Sequence, residues 1–304
     1  PLWSRGLGDV YKRQVPHPKF PQSDAGYINQ AELAAKIAAL THSVSTDAVL
    51  SLPPEQHVTV DVPVSAKTVA FYVQLAKTFV AELESGEIVT ASNALVKLLR
   101  LQQACSGHTA IKHDDGRVEK FLLDPSNGDV TEKGSALGDW LEDVPPNEPV
   151  VVFSKFQEDL RQTQLAAKRA NRRCFELSGS SKGTRELAAW QESTGGEVLA
   201  VQVQSGGVGI DLSRASIAAY LSIGHSLGEF DQSLARTRRY GQRGQRCLYY
   251  HFIASAKTAG GKKIAMADEL VYDALRSRAQ VVDCVYDLIR ESNPGDSTHA
   301  RAIK

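Results

Sequence analysis

From Val150 onward, short apolar runs alternate with helical stretches at a regular pace. VVVF (150–153), CFEL (174–177), VLAVQV (198–203), IAAYLSI (217–223) and CLYYHFIA (247–254) read as strands bounded by polar or Gly-rich turns. Helical periodicity fills about 156–170 and 183–192, and IAAYLSI leads into an arginine-rich helical stretch. Apolar strands separated by helices of roughly ten residues predict an α/β fold, with a parallel sheet covered on both faces. In such sheets ligands bind beyond the carboxyl ends of the strands. QSGGVGID (204–211) and the arginine helix would both emerge at that edge.

Upstream, the pattern is mainly helical. INQAELAAKIAAL, within 28–50, reads as a helix that the prolines of SLPPEQ interrupt, and the alternation of VTVDVPVS reads as a strand. Helical spacing returns from Ser65 to about Gln103, with Phe71, Leu75, Phe79 and Leu83 forming a core-facing stripe. Residues 106–131, rich in Gly and Asp, predict a loop or short hairpin, VPPNEP (144–149) a linker, and 266–291 a docked amphipathic helix. The expected partition is a mainly helical segment over 15–145, an α/β lobe over 146–256 and a helical extension over 257–304. PLWSRGLGDVYKRQ (1–14) resembles translated adapter sequence, the chain lacks an initiator Met, and its single Met is Met266. Setting that stretch aside carries the expectation that the native chain extends upstream.

Composition changes this picture little. Apolar content of 42% and charged content of 23% are ordinary for a globular protein. The formal net charge is zero, so a nucleic-acid site must be a local patch. No stretch is long and apolar enough to cross a membrane. Cys105, Cys174, Cys247 and Cys284 form no CxxC pair and read as reduced thiols of a cytoplasmic protein. Cys105, His108 and His113 would make half of a zinc site with no second half, so no metal ligands are expected on this chain.

Two segments carry candidate chemistry. The Gly-rich turn, with Gly206, Gly207 and Gly209, permits positive φ and close approach of backbone N–H groups to a phosphate, and Asp211 could accept from a sugar hydroxyl. Alone it is a weak signal, and a plain tight turn is the more common explanation. GSSKGT (179–184) lacks phosphate-loop spacing, and Asp268–Leu270 follows no apolar strand, so no magnesium-binding acidic motif is present. The second segment holds five arginines between Gln232 and Arg246. If helical, it places Gln232, Arg236 and Arg239 at i, i+4 and i+7 on one face, with Phe230, Leu234 and Thr237 packing opposite. Fixed guanidinium groups can stabilise charge on a transferring phosphoryl group. The bland alternative is a solvated basic face.

QSLARTRRYGQ, QSGGVGIDLSRAS and PVVVFSKFQEDL resemble motifs VI, V and IV of superfamily 2 helicases, in the Q-x-x-x-R-x-x-R-x-G-Q form of SWI/SNF-like ATPases. FELSGSSKGTRELAAWQ, SLPPEQHVTVDVPVSAKTVAFYVQL and LVKLLRLQQACSG fit the same family in the same order, so the likeness runs from about Gln30 to Ala279. The resemblance implies a second RecA-like lobe of a DNA-dependent ATPase. ATP with Mg²⁺ would lie between this lobe and an N-terminal RecA-like lobe that holds the metal ligands, and the partner would be double-stranded DNA. By position, Arg236 and Arg239 would face the γ-phosphate, with Gln232 ordering them. Gly207, Gly209 and Asp211 would line the nucleotide cleft. Ser154, Lys155, Ser178 and Ser205 would contact the DNA backbone, although ordinary loop or cap roles fit these four equally. The sequence departs from the family at Asp211, where Asn is common, and in THSVSTDAVLSLPP, which lacks the usual junction arginines. These departures suggest a small member from a bacterial or phage-infected cell. The alternatives are a strand-separating helicase of the same superfamily and a non-catalytic binding lobe, which would need neither the arginine pair nor the glycine turn.

Overall fold

The computed structural model describes residues 14–17, 20–27, 31–32, 36, 50–84, 91–112, 118–179, 183–204, 209–258 and 260–277. Of the N-terminal fourteen residues only Gln14 is among them, and most of the 28–50 run and everything after Ser277 lies outside. Near the N-terminus, β1 (Gln14–His17) and β2 (Phe20–Tyr27) pair antiparallel, a hairpin the sequence pattern did not announce. Then follow β3 (Glu55–Pro63), α1 (Ala66–Glu84) and α2 (Ala91–Cys105), and an antiparallel hairpin of β4 (His108–Lys112) and β5 (Val118–Leu122). The lobe continues through α3 (Glu132–Asp143), β6 (Val150–Ser154), α4 (Gln157–Arg169), β7 (Cys174–Leu177), α5 (Gly183–Glu192) and β8 (Val198–Gln202). It closes with β9 (Ile217–Tyr220), α6 (Leu227–Thr237), β10 (Cys247–Lys257), β11 (Lys263–Ile264) and α7 (Ala267–Ser277).

The described residues build a seven-stranded sheet in the order β7-β8-β6-β9-β10, with β3 and β11 each paired to β10. Every pairing is parallel except β10 with β11. The expected α/β lobe is present, RecA-like with helices on both faces. The chain leaves β6 toward β7 and reappears at β9 on the other side of β6, so the winding reverses across that strand. All five residues of β6 are buried, as a central parallel strand requires. Alternate positions feed two cores. Val151, Phe153, Leu199, Tyr220 and Tyr249 face Tyr72, Leu101, Trp190, Phe230 and Val271, while Val150, Val152, Leu221 and Phe252 face Leu137, Leu141 and Ala167. The first face is covered by α1, α2, α5, α6 and α7, the second by α3 and α4. In the α1 stripe Phe79 is buried, and Phe71 and Leu75 pack against the core.

Polar side chains hold the joints. The Thr131 hydroxyl caps α3 by accepting from the Gly134 amide at 3.0 Å. Residues 144–149, linker-like in sequence, are clamped: the Arg172 guanidinium donates to the carbonyls of Val144, Pro145 and Glu148. Strand β3 runs in register beside β10 from Glu55 to Pro63, so the segment ahead of the lobe contributes to its sheet. Across this pair His57 Nδ1 and His251 Nε2 are 2.9 Å apart, one ring donating to the other, with the His251 ring stacked on Tyr220.

This histidine pair predicts an acid-side weakness. Burial, reinforced by His57 and Arg276, pushes His251 from its ordinary 6.5 down to about 2. His57 is also lowered, by burial and Arg276 against an opposing pull from Glu55. The unfolded chain therefore takes up protons that the folded one refuses. The stability so conferred is complete above about pH 6.5 and declines as pH falls, by at most about 1.4 kcal/mol per pH unit for His251. Urea midpoints measured from pH 7 to 5 should fall less steeply in His251→Phe than in the wild type; equal slopes would refute the assignment.

Candidate functional site

Helix α6 begins where the Ser226 hydroxyl accepts from the Glu229 amide at 3.3 Å. Phe230, Ser233 and Thr237 are buried against the sheet, and Leu234 packs partly on the same core, as the periodicity predicts. Two hydroxyl pairs fix the seat: Ser233 Oγ lies 2.6 Å from the Tyr220 hydroxyl, and Thr237 Oγ1 lies 2.8 Å from the Tyr249 hydroxyl.

The helix ends at Thr237, and this corrects the expected three-residue face. Gln232 and Arg236 share α6, one turn apart; Arg239 lies beyond it. The cause is Gln242. Its amide nitrogen donates to the Thr237 carbonyl and the Ala215 carbonyl, both at 2.9 Å, and its amide oxygen accepts from the Gly244 N–H at 2.9 Å. A side-chain amide thus takes a carbonyl that a continuing helix would have given to a backbone N–H. Gly241, at φ 96°, then turns the chain. Gly244 packs so closely on Ser216 that a Cβ there would lie 2.5 Å from the Ser216 Cβ.

The same clasp brings the two candidate segments together. The Leu212 N–H donates to the Arg236 carbonyl at 3.0 Å, and Arg239 Nη1 donates to the Ile210 carbonyl at 3.2 Å. Gln191 donates to the Asp211 carbonyl at 2.8 Å, and the exposed Asp211 carboxylate accepts from the Ser213 amide at 2.8 Å. Gly209 has φ 97°, in the region that favours glycine. Gly209, Asp211, Arg236 and Arg239 therefore form one connected unit, while Gly207 and Ser205 lie outside the described residues. Burial pushes the half-buried Arg236 guanidinium down from its ordinary value, against a smaller upward pull from Tyr220, although an arginine remains cationic at neutral pH. Gln232 is exposed on the helix surface.

The remaining candidates separate. Ser178 is half-buried just past β7. Ser154 and Lys155, at the carboxyl end of β6, are instead held inside, at 0% and 8% exposure. The Lys155 amide donates to Ser222 Oγ at 2.8 Å, and its ammonium lies 3.8 Å from Glu229. Interior placement removes the Ser154 side chain from any surface strand. Three contributors escaped the sequence reading: Gln242, Gln191 and Arg214. Arg214 donates to Glu197 and to the Gly195 carbonyl, each at 2.7 Å, over the Trp190 ring. Burial alone would raise the Glu197 carboxyl, but Arg214 holds it below its ordinary value. Only Gln242 had a sequence signal, as the last residue of the R-x-x-R-x-G-Q run. Among the described residues no group of three His, Cys, Asp or Glu side chains is arranged to hold a metal ion. No described helix is long and apolar enough to cross a membrane.

Known structures share this fold. The C-terminal part of the Fun30 ATPase domain matches with a TM-score of 0.58 at 14% identity, over 79% of this chain and 98% of that one. The SWI2/SNF2 ATPase core of Sulfolobus solfataricus, solved in complex with double-stranded DNA, matches with a TM-score of 0.51 at 17% identity. That match spans 89% of this chain and 56% of the Sulfolobus chain. No protein-family model matches the sequence, and no curated protein matches it. The fold is that of the C-terminal helicase lobe of SWI2/SNF2 ATPases.

Removing the clasp should loosen this unit without unfolding the lobe. Gln242→Ala loses three hydrogen bonds and leaves the Ala215 carbonyl without that donor, at a cost of about 1–3 kcal/mol. The expected result is a lower urea midpoint with an unchanged slope, and faster amide exchange confined to about 209–216 and 238–246. Exchange unchanged in those segments would show that Gln242 does not hold them.

Proposed function

We propose that this chain supplies the second lobe of a DNA-dependent, SWI/SNF-like ATPase that moves along double-stranded DNA. Its ATP site is shared with an N-terminal RecA-like lobe encoded upstream. The observation that carries the reading is the pinning of the Gly209–Leu212 loop to both Arg236 and Arg239. Withdrawal of Arg239 from Ile210 would free one of the two ties that hold the loop, which is the coupling a two-lobe motor needs.

Arg236 and Arg239 act on the transferring phosphoryl group. Arg239 now donates to the Ile210 carbonyl, a neutral acceptor. Exchanging it for anionic phosphate oxygens puts opposite charge on the acceptor and admits a two-pronged bond, so lobe closure can draw Arg239 across. Arg236, rooted on a helix whose other face is fixed by Tyr220 and Tyr249, stays in place through the same movement. Gln232 orders the cluster, and Gly207, Gly209 and Asp211 line the cleft. When bound, ATP with Mg²⁺ supplies the phosphoryl group, and the metal ligands belong to the first lobe. Ser178 and Ser205 hold the DNA backbone, with Lys155 supporting the β6 end from inside. The setting is the cytoplasm of a bacterial or phage-infected cell.

The test begins with the source DNA upstream of the Val15 codon. The reading requires the frame to continue into a G-x-x-x-x-G-K-[ST] loop and an acidic magnesium-binding box. In the two-lobe protein, Arg239→Ala should then lower DNA-stimulated hydrolysis by about 10³-fold or more, with DNA affinity retained. A start codon beside Val15, or hydrolysis at the wild-type rate in Arg239→Ala, sinks it in favour of a non-catalytic lobe.

A further inference from the structure

In the segment that follows Arg239, Tyr240, Arg243 and Arg246 have no role in the reading above, yet they stand on a built platform. Tyr240 is 80% exposed, the most exposed of the large hydrophobic side chains among the described residues. Single exposed apolar residues are common and alone mean little. Here, however, the Tyr240 backbone is fixed by the Gln242 hydrogen bonds, the Gly241 turn and the Gly244–Ser216 approach. Arg243 and Arg246 are exposed beside it and make no hydrogen bond or ion pair with any described residue. No acidic residue interrupts Gln232 to Arg246. Next to Gly241 opens a cavity of about 540 Å³, lined in part by Ser193, Thr194, Asp211, Ser213, Arg214 and Arg243. Gln232, Arg236 and Arg239 are absent from its lining, while Asp211 is shared with the cleft proposed above, so the cavity adjoins the arginine cluster without containing it.

From these features we propose that the loop binds one unpaired nucleotide of a nucleic-acid strand, its base stacked on Tyr240 and its phosphate held by Arg243 at the cavity mouth. Each part follows from the chemistry. A phenol ring offers its face to any base, because every base has a π-face, and this stacking is tolerant of sequence. Within a duplex the base faces are already stacked, and prising a step apart costs a few kcal/mol, so Tyr240 rewards an unpaired base. Guanidinium forks to phosphate oxygens and remains charged, and Arg243 breaks no bond to a described residue on binding. The hydroxyls of Ser193, Thr194 and Ser213 supply neutral polar contacts around the sugar and phosphate. The backbone that carries Tyr240 is held beforehand, so the ordering left to the arriving strand is that of the side chains. Strand binding here needs no ATP and no first lobe, and stands or falls apart from the hydrolysis reading.

The test uses the 304-residue chain and a fluorescein-labelled fifteen-nucleotide oligothymidylate at low salt, read by anisotropy, with a duplex of equal length in parallel. Tyr240→Ala should weaken oligothymidylate binding by roughly tenfold, the loss of one stacked base, and Tyr240→Phe should restore it. Arg243→Ala should reduce the slope of log affinity against log salt by about 0.7, one phosphate's share on a single strand. Duplex affinity should not change in Tyr240→Ala. An abasic strand of the same length should bind the wild type as weakly as oligothymidylate binds Tyr240→Ala. Four results would overturn the proposal: no measurable oligothymidylate binding by the wild type, Tyr240→Ala within twofold of wild type, an equal loss on the duplex, or displacement of the strand by micromolar free thymidine monophosphate, which would make the ligand a free nucleotide.

Discussion

Val150 to Ser154 are buried along their whole length, and most of the architecture follows from that one strand. A parallel strand with no polar face cannot sit at a surface, so both sides of its sheet must be roofed. The alternation of Val151 and Phe153 with Val150 and Val152 divides the load between two cores. Helices α3 and α4 cover one side, and the larger group including α5 and α6 covers the other. The winding also reverses at β6, with β8 and β7 on one side and β9 and β10 on the other, which gathers the candidate loops on one region of the lobe.

Inside this frame the polar side chains act as fasteners. Lys133 and Asp268, both buried, form an ion pair that ties α3 to α7, with the Lys133 ammonium also donating to the Leu221 carbonyl at 2.8 Å. Breaking one partner of such a pair strands the other, which is why these joints resist piecemeal change. Asp159 accepts from Ser222, whose hydroxyl also receives the Lys155 amide, so the ends of β6 and β9 are tied to α4. His57 and His251 do the same for β3 and β10, by a bond whose accepting ring must be neutral.

The candidate site depends on a smaller device of the same kind. Gln242 ends α6, reaches across to Ala215 and steadies Gly244 with one side chain. Because it does so, Arg239 is released from the helix and can hold the loop that starts at Gly209. A continuous helix would have kept Arg239 on the face of Arg236 and left the loop unpinned. The same turn projects Tyr240 outward, so one constraint shapes both the arginine cluster and the platform beside it.

Much of this was legible in the chain. The strands from VVVF to CLYYHFIA, the helices between them, and the burial of Phe230, Leu234 and Thr237 all follow from local periodicity, since burial of a strand or helix face must repeat with the element's own pitch. The likeness of the lobe to the SWI2/SNF2 fold was likewise legible, as motifs in a fixed order along the chain. Tertiary contacts decided the rest, because they join residues whose separation leaves no local trace. The end of α6 rests on a carbonyl taken by a side chain five residues on, and on a second carbonyl 27 residues back. Ser154 and Lys155 read as polar loop residues, yet the sheet that closes over them puts both inside. β3 reads as a strand, and only its pairing with β10, some 190 residues later, makes it part of the lobe.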